Sequence, residues 1–179
     1  MAKKKSLLLS KVYSLLESGP VILVTTALKE KSNIMAMSWH TMIDFEPPLV
    51  GFVMSDQNYS FEMLRKSKEC VINIPTVDIA EKVVGCGNTH GNKVNKFEKF
   101  DLTPQEASMV GAPLIEECYA NFECRVVDTK MVAKYGFFIV EVVNAWIDPK
   151  IKEPQTIHHL GKDNFMVAGE RIKIKSKMK

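Results

Sequence analysis

Val21-Ile22-Leu23-Val24-Thr25-Thr26, a polar turn over 29–32, and then Asn33-Ile34-Met35-Ala36-Met37-Ser38-Trp39 form the stretch that decides the fold class. The first run is rich in β-branched residues and the second alternates, so both predict strands, and their short connection predicts a hairpin. On its N-terminal side, Leu8, Leu9, Val12, Leu15 and Leu16 recur at helical spacing over 6–17, and Gly19-Pro20 stops that helix. On the other side, Glu46-Pro47-Pro48 predicts a break, because neither proline can join a central ladder. A third strand is expected over 49–54.

Further along, Phe61-x-x-Leu64 begins a short helix that ends near Ser67, and 70–74 reads as a buried strand closed by Pro75. Asp78-Ile79-Ala80-Glu81 fits a helix start with a capping box. A loop with three glycines is expected over 85–92, and Thr103-Pro104-Gln105-Glu106 should open another helix. Long strands are expected over 119–127 and 137–145, after which 146–150 leaves the sheet and the rest is tail. Arg171-Ile172-Lys173-Ile174-Lys175 alternates like a lysine-protected edge strand. Parallel βαβ alternation is absent. The order predicts a mainly β chain: an antiparallel, Greek-key-like barrel with short inserted helices. Residues 1–18 are expected to form an N-terminal helix, and 19–179 one barrel domain with its tail.

The 179 residues suffice for one domain with its own core, and 46% hydrophobic with 25% charged residues is ordinary globular composition. The net charge of +3 is concentrated in Lys3-Lys4-Lys5 and the C-terminal lysines, so the body is close to neutral and the ends read as solvated termini. No apolar run nears the roughly 20 residues of a membrane span. Leu7-Leu8-Leu9 is too short for a signal peptide, which predicts a cytoplasmic protein. Cys70, Cys86, Cys118 and Cys124 form no C-x-x-C pair, so free thiols are expected. Three sit in apolar or strand-like runs; Cys86, beside Gly85 and Gly87, is the exception. Basic and aromatic residues do not interleave on one strand face, so nucleic acid is not an expected partner. Hydrolase, zincin and EF-hand patterns are missing, and no carboxylate pair stands out.

Three stretches could carry chemistry. In 33–41, small Ala36 and Ser38 allow close backbone approach to a planar ligand, and Met35, Met37 and Trp39 offer polarizable surface. Composition alone reads this stretch more readily as a half-buried strand edge before a Pro-Pro turn. Ser55-Asp56-Gln57-Asn58-Tyr59-Ser60 places hydroxyls at a helix start, where unpaired N–H groups can cradle phosphate or simply be capped. Gly85-Cys86-Gly87-Asn88-Thr89-His90-Gly91-Asn92-Lys93 is neither a Rossmann nor a P-loop fingerprint. His158 and His159 are adjacent on a strand-like run and would point to opposite faces, a poor shared metal site.

The order of Val21-Ile22-Leu23-Val24-Thr25, Asn33 to Trp39, Pro47-Pro48-Leu49-Val50, Tyr59-Ser60, Val71-Ile72-Asn73-Ile74-Pro75 and Gly91-Asn92-Lys93-Val94-Asn95-Lys96-Phe97 resembles the flavin-reductase-like, FMN-binding split-barrel family, which includes flavoredoxins and ferric reductases. The resemblance implies a six-stranded split barrel that binds FMN as a homodimer, with each site at the subunit interface. It implies that Met35, Ala36, Met37, Ser38, Trp39, His40 and Thr41 hold the flavin ring, largely through backbone groups. Many relatives carry Thr at the position of Ala36, so a hydroxyl is missing here. Tyr59 and Ser60 become expected neighbours of the FMN phosphate. Cys86, His90 and Lys93 line the loop where the family usually reads Ser-Gly-Arg, with Lys93 supplying the charge. A C-terminal histidine and residues 166–169 are expected near the flavin wall, and no metal is expected. The implied activity is NAD(P)H-dependent reduction of flavin or ferric iron. The alternatives are a flavoredoxin-type carrier fed by a protein donor, and a flavin-binding module without turnover.

Overall fold

The structure, a computed structural model, describes residues 19–175. The helix expected over 6–17 lies outside the described residues. β1 (Ile22–Leu28) and β2 (Lys31–Met37) form the hairpin expected from the opening stretch, antiparallel with Ile22 opposite Met37. β3 (His40–Phe45) and β4 (Pro48–Val53) make a second hairpin, followed by helix α1 (Tyr59–Ser67) and β5 (Glu69–Ile74). A 3₁₀ turn over Val77–Ile79 leads into α2 (Ala80–Gly87), and α3 (Lys96–Lys99) is one short turn. Two-residue strands β6 (Pro104–Gln105) and β7 (Leu114–Ile115) pair with each other. β8 (Ala120–Asp128), α4 (Val132–Tyr135) and β9 (Phe137–Ile147) follow, then the hairpin of β10 (Ile157–His159) and β11 (Phe165–Val167).

The main sheet runs β2-β1-β5-β8-β9-β4-β3, with antiparallel pairing throughout. Ile22, Val24, Val50, Phe52, Ile72, Cys124, Phe138 and Val140 come from five of its strands and meet in one buried cluster, so the sheet curls around them as a split barrel. Strand side chains alternate, so Val21 and Leu23 face the other way. There they join Ile34, Val83, Cys86, Phe97 and Ile115 in a second cluster under α2 and α3. One strip of strand thus serves two cores, which places the end of β2 between them.

Several expectations are corrected. The sheet has seven strands rather than six, because His40–Phe45 adds β3 at its edge. Glu46-Pro47-Pro48 is the tip of the β3–β4 hairpin, and Pro48 opens β4 opposite Phe45. Proline is tolerated at a strand's first residue. Thr103 to Glu106 forms no helix: the Thr103 N–H and hydroxyl bond the Glu117 carboxylate, and Pro104-Gln105 pairs with β7. Long-range pairing outweighs a local cap there. Asp78 builds no capping box; its carboxylate accepts from the Thr76 hydroxyl, and α2 starts later without a side-chain cap. The loop expected over 85–92 begins later too, since α2 continues through Cys86 to Gly87. β9 runs on to Ile147, and 171–175 is not a strand. All four cysteines are buried and free, Cys86 included. No helix among the described residues is long and apolar enough to cross a membrane.

Candidate functional site

The end of β2 borders three concave regions. A cleft of about 1020 Å³ is walled on one side by Met35, Ala36, Met37, Ser38 and Trp39. Its other walls are Val53 to Asp56, the first turns of α1, and the segment from Thr129 to Gly136. A notch of about 120 Å³ lies between Asn33, Tyr59, Ser60, Cys86, His90 and Lys96, and shares Met35, Ala36 and Asn58 with the large cleft. The notch therefore adjoins the cleft at those three residues. A third region of about 460 Å³ uses Ala36, Met37 and Ser38 again, against α2 and the β10–β11 hairpin with His159 and Phe165.

The notch is built from polar groups. Asn33 Nδ2 donates to Ser60 Oγ at 2.9 Å and Thr26 Oγ1 donates to it at 3.2 Å, both buried. Ser60 accepts from Asn33, and its hydroxyl pairs with that of Thr26, whose one proton can instead go to Met63 Sδ. Ser60 is the second residue of α1, whose N-cap Asn58 makes no side-chain cap. The first backbone N–H groups of that helix are therefore uncapped by any side chain and carry the positive end of its dipole. Gly91 packs so closely on Asn33 that a Cβ there would collide with the Asn33 amide, which brings the 88–92 loop down over the notch.

Lys96 supplies the charge. Asn95 caps α3 by accepting from the Phe97 N–H, Phe97 anchors the turn in the second core, and Lys96 is carried inward with it to 5% exposure. Its Nζ donates to Ile34 O at 2.7 Å and Cys86 O at 2.6 Å. Among the described residues it forms no ion pair. Burial lowers its pKa, since desolvation penalises the ammonium. An ammonium has three donors, so one remains. A buried cation without a counter-ion, a hydroxyl and an uncapped helix start suit a small anion. At about 120 Å³ the notch is well below the roughly 300–1,000 Å³ of drug-sized sites, room for a small anion rather than a ring system.

The expected residues fall into three groups. Met35, Ala36, Met37, Ser38 and Trp39 line the large cleft, with Trp39 56% exposed. Tyr59, Ser60, Cys86 and His90 line the notch. His40 and Thr41 lie on β3 outside all three regions; the His40 ring contacts Pro20 O at 2.7 Å. Lys93 is exposed and lines none of them, whereas Lys96 lines the notch. Asn33 and Lys96 also line the notch, and neither stands among the residues expected from the sequence. The Lys96-Phe97 pair behind Asn95 was the available signal: a good N-cap followed by an apolar anchor fixes which way the lysine turns. Cys86 lies at the notch, but burial pushes its thiol up to about 11, against the pull of Lys96. His159 faces the third region, its ring 5.1 Å from Phe165. No cluster of metal-ligating side chains occurs among the described residues.

A family model for the flavin reductase like domain matches residues 15–164. YddH, an uncharacterized protein of Escherichia coli strain K12, is 30% identical over 172 residues, 88% of this chain and 91% of that one. An uncharacterized protein of Archaeoglobus fulgidus is 34% identical over 115 residues, 64% of this chain and 65% of its own length. Among solved structures, the flavoredoxin of Methanosarcina acetivorans has 26% identity and a TM-score of 0.81, with 98% of this chain and 97% of that one covered. An FMN-binding domain of a flavin reductases-like enzyme from Shewanella baltica has 25% identity and a TM-score of 0.83, covering 96% and 97%. With the antiparallel split barrel, these matches establish that the chain belongs to the flavin-reductase-like family.

Proposed function

We propose that this protein binds FMN and works as a homodimeric, NAD(P)H-dependent flavin or ferric reductase. The observation that carries the reading is the buried Lys96 ammonium in a notch that shares Met35, Ala36 and Asn58 with the cleft walled by Met35 to Trp39. In this reading the phosphate takes the remaining Lys96 N–H, the Ser60 hydroxyl and the first N–H groups of α1, with His90 at the rim. The flavin ring lies along Met35 to Trp39. β2 is the outer strand of the sheet, so backbone groups on its far side are outside the ladder and can meet the ring's polar edge. That grip replaces the hydroxyl absent at Ala36. Bound FMN supplies hydride and single-electron chemistry, and the protein supplies placement and a partly dry wall.

The homodimer is supported by β3, an edge strand on which Met42, Ile43 and Phe45 are exposed, Phe45 at 87%. Apolar side chains of that size on an unpaired edge suit a second copy. A flavoredoxin-type carrier is the second reading, favoured by the likeness to the Methanosarcina flavoredoxin.

Anaerobic mixing of FMN-loaded protein with NADH, NADPH and a reduced ferredoxin separates these readings. Rapid bleaching by a nicotinamide supports the reductase. Bleaching only by ferredoxin supports the carrier. A protein that takes up no FMN defeats both.

A further inference from the structure

The large cleft has more room than a flavin ring needs. Its volume of about 1020 Å³ is at the upper end of small-molecule sites, roughly 300–1,000 Å³. Away from β2 the cleft is lined by Thr129, Val132, Ala133, Lys134, Tyr135 and Gly136, and by Arg65 and Lys68 of the α1 end. That wall is built rigidly. Gly136 ends α4 in the left-handed region at φ 63°, and a Cβ there would run into the Met54 carbonyl. Met54 N donates to Gly136 O at 2.9 Å, pinning α4 against β4. Lys68 is also at φ 62°, its N–H bonded to Leu64 O and its carbonyl accepting from Val126 N.

The charges on this wall are unequal in their commitments. Arg65 is paired with Glu62 at 2.9 Å, and Lys66 lies 3.8 Å from the same carboxylate. Lys68 and Lys134 form no ion pair among the described residues. Lys134 Nζ sits 4.9 Å from the centre of the Tyr135 ring, and that ring is 55% exposed. Asp56 is the remaining acid of the cleft. Two ammonium groups outside any ion pair among the described residues, one of them over an exposed aromatic ring, therefore line the same cleft as the proposed flavin wall.

We propose that this wall receives the phosphorylated adenosine end of the hydride donor, so that the protein prefers NADPH to NADH. The 2′-phosphate carries most of two negative charges and meets Lys68 and Lys134, and the adenine stacks at Tyr135. The inference rests on the reductase reading above, and it fails separately from it.

Calorimetric titration of FMN-loaded protein with NADP⁺ and NAD⁺ tests the binding, and kcat/KM for NADPH and NADH tests its use. The expected result is tighter binding of NADP⁺ by about tenfold or more, the size of one charge-assisted contact. In the Lys68→Ala/Lys134→Ala variant the NADPH-to-NADH ratio of kcat/KM should fall by about tenfold through KM, and the NADP⁺ advantage should weaken with salt. FMN affinity, measured on the same variant, reports whether the site is intact. Equal binding of NADP⁺ and NAD⁺ overturns the proposal, as does an unchanged ratio in a variant that still binds FMN. Reduction by ferredoxin alone overturns the reductase reading while FMN binding stands.

Discussion

Lys96 carries the notch, and its removal has a stated cost. Lys96→Met keeps the stem and deletes the ammonium, so FMN binding should weaken about tenfold or more, as expected for a bond between charged groups. Fluorescence titration measures it, and unchanged affinity would remove Lys96 from the site. Cys86 is the contrasting residue: with its thiol near 11, it is almost wholly protonated at pH 8. Native protein should therefore leave Cys86 unalkylated by iodoacetamide while unfolded protein reacts, as mass spectrometry can follow. Glu123 links the residue scale to stability. It is fully buried, and burial would raise its pKa, but bonds from Trp146 Nε1, the Met109 and Ser108 N–H groups and Asn144 hold it below the ordinary value. A depressed carboxyl stabilises the fold above its unfolded value of about 4.3, and that contribution is lost as pH falls through the folded value. Trp146→Phe should cost about 1.5–3 kcal/mol at neutral pH and raise the acid-unfolding midpoint, read by circular dichroism. Residue types alone did not separate Lys93 from Lys96. Only the packing of Phe97 and the cap at Asn95 turn one inward and leave the other in water.

At the scale of elements, strands with clear alternation or β-branched density were legible: β1, β2, β4, β5, β8 and β9 all stand where the pattern put them, within a few residues. β3 was not, because His40 to Phe45 packs against no core: Thr41 to Phe45 are exposed and the usual alternation is missing. Its pairing to β4 comes from backbone bonds, which leave little trace in side-chain hydropathy. The helix at Thr103 failed for the opposite reason, since a good local cap was overruled by Glu117 and by pairing with β7. Two element-scale outcomes follow from the geometry. Gly136→Ala puts a side chain in the left-handed region against Met54 O and should destabilise by at least about 1–3 kcal/mol, measured by denaturant melts. If the proposed homodimer pairs through β3, Phe45→Glu should leave the fold intact and shift the protein from dimer to monomer in sedimentation, and a dimer unshifted by the change would place the interface elsewhere.

Across the whole molecule, β2 is shared by two cores and three concave regions, so one strand supports the sheet and forms the common wall of every cleft at the site. The order of hairpin, Pro-Pro turn, helix start and Asn-Ile-Pro strand was readable along the chain. The convergence of Asn33, Ser60 and Lys96 was not, because 27 and 62 residues of chain separate the groups that meet at Asn33–Ser60 and Ile34–Lys96. The most direct test is calorimetric titration of flavin-free protein with FMN and with riboflavin, which lacks only the phosphate. One FMN per chain, bound at least about tenfold more tightly than riboflavin, is the expected result. Equal affinity for the two, or no binding of FMN, would contradict the assignment of the notch to the phosphate.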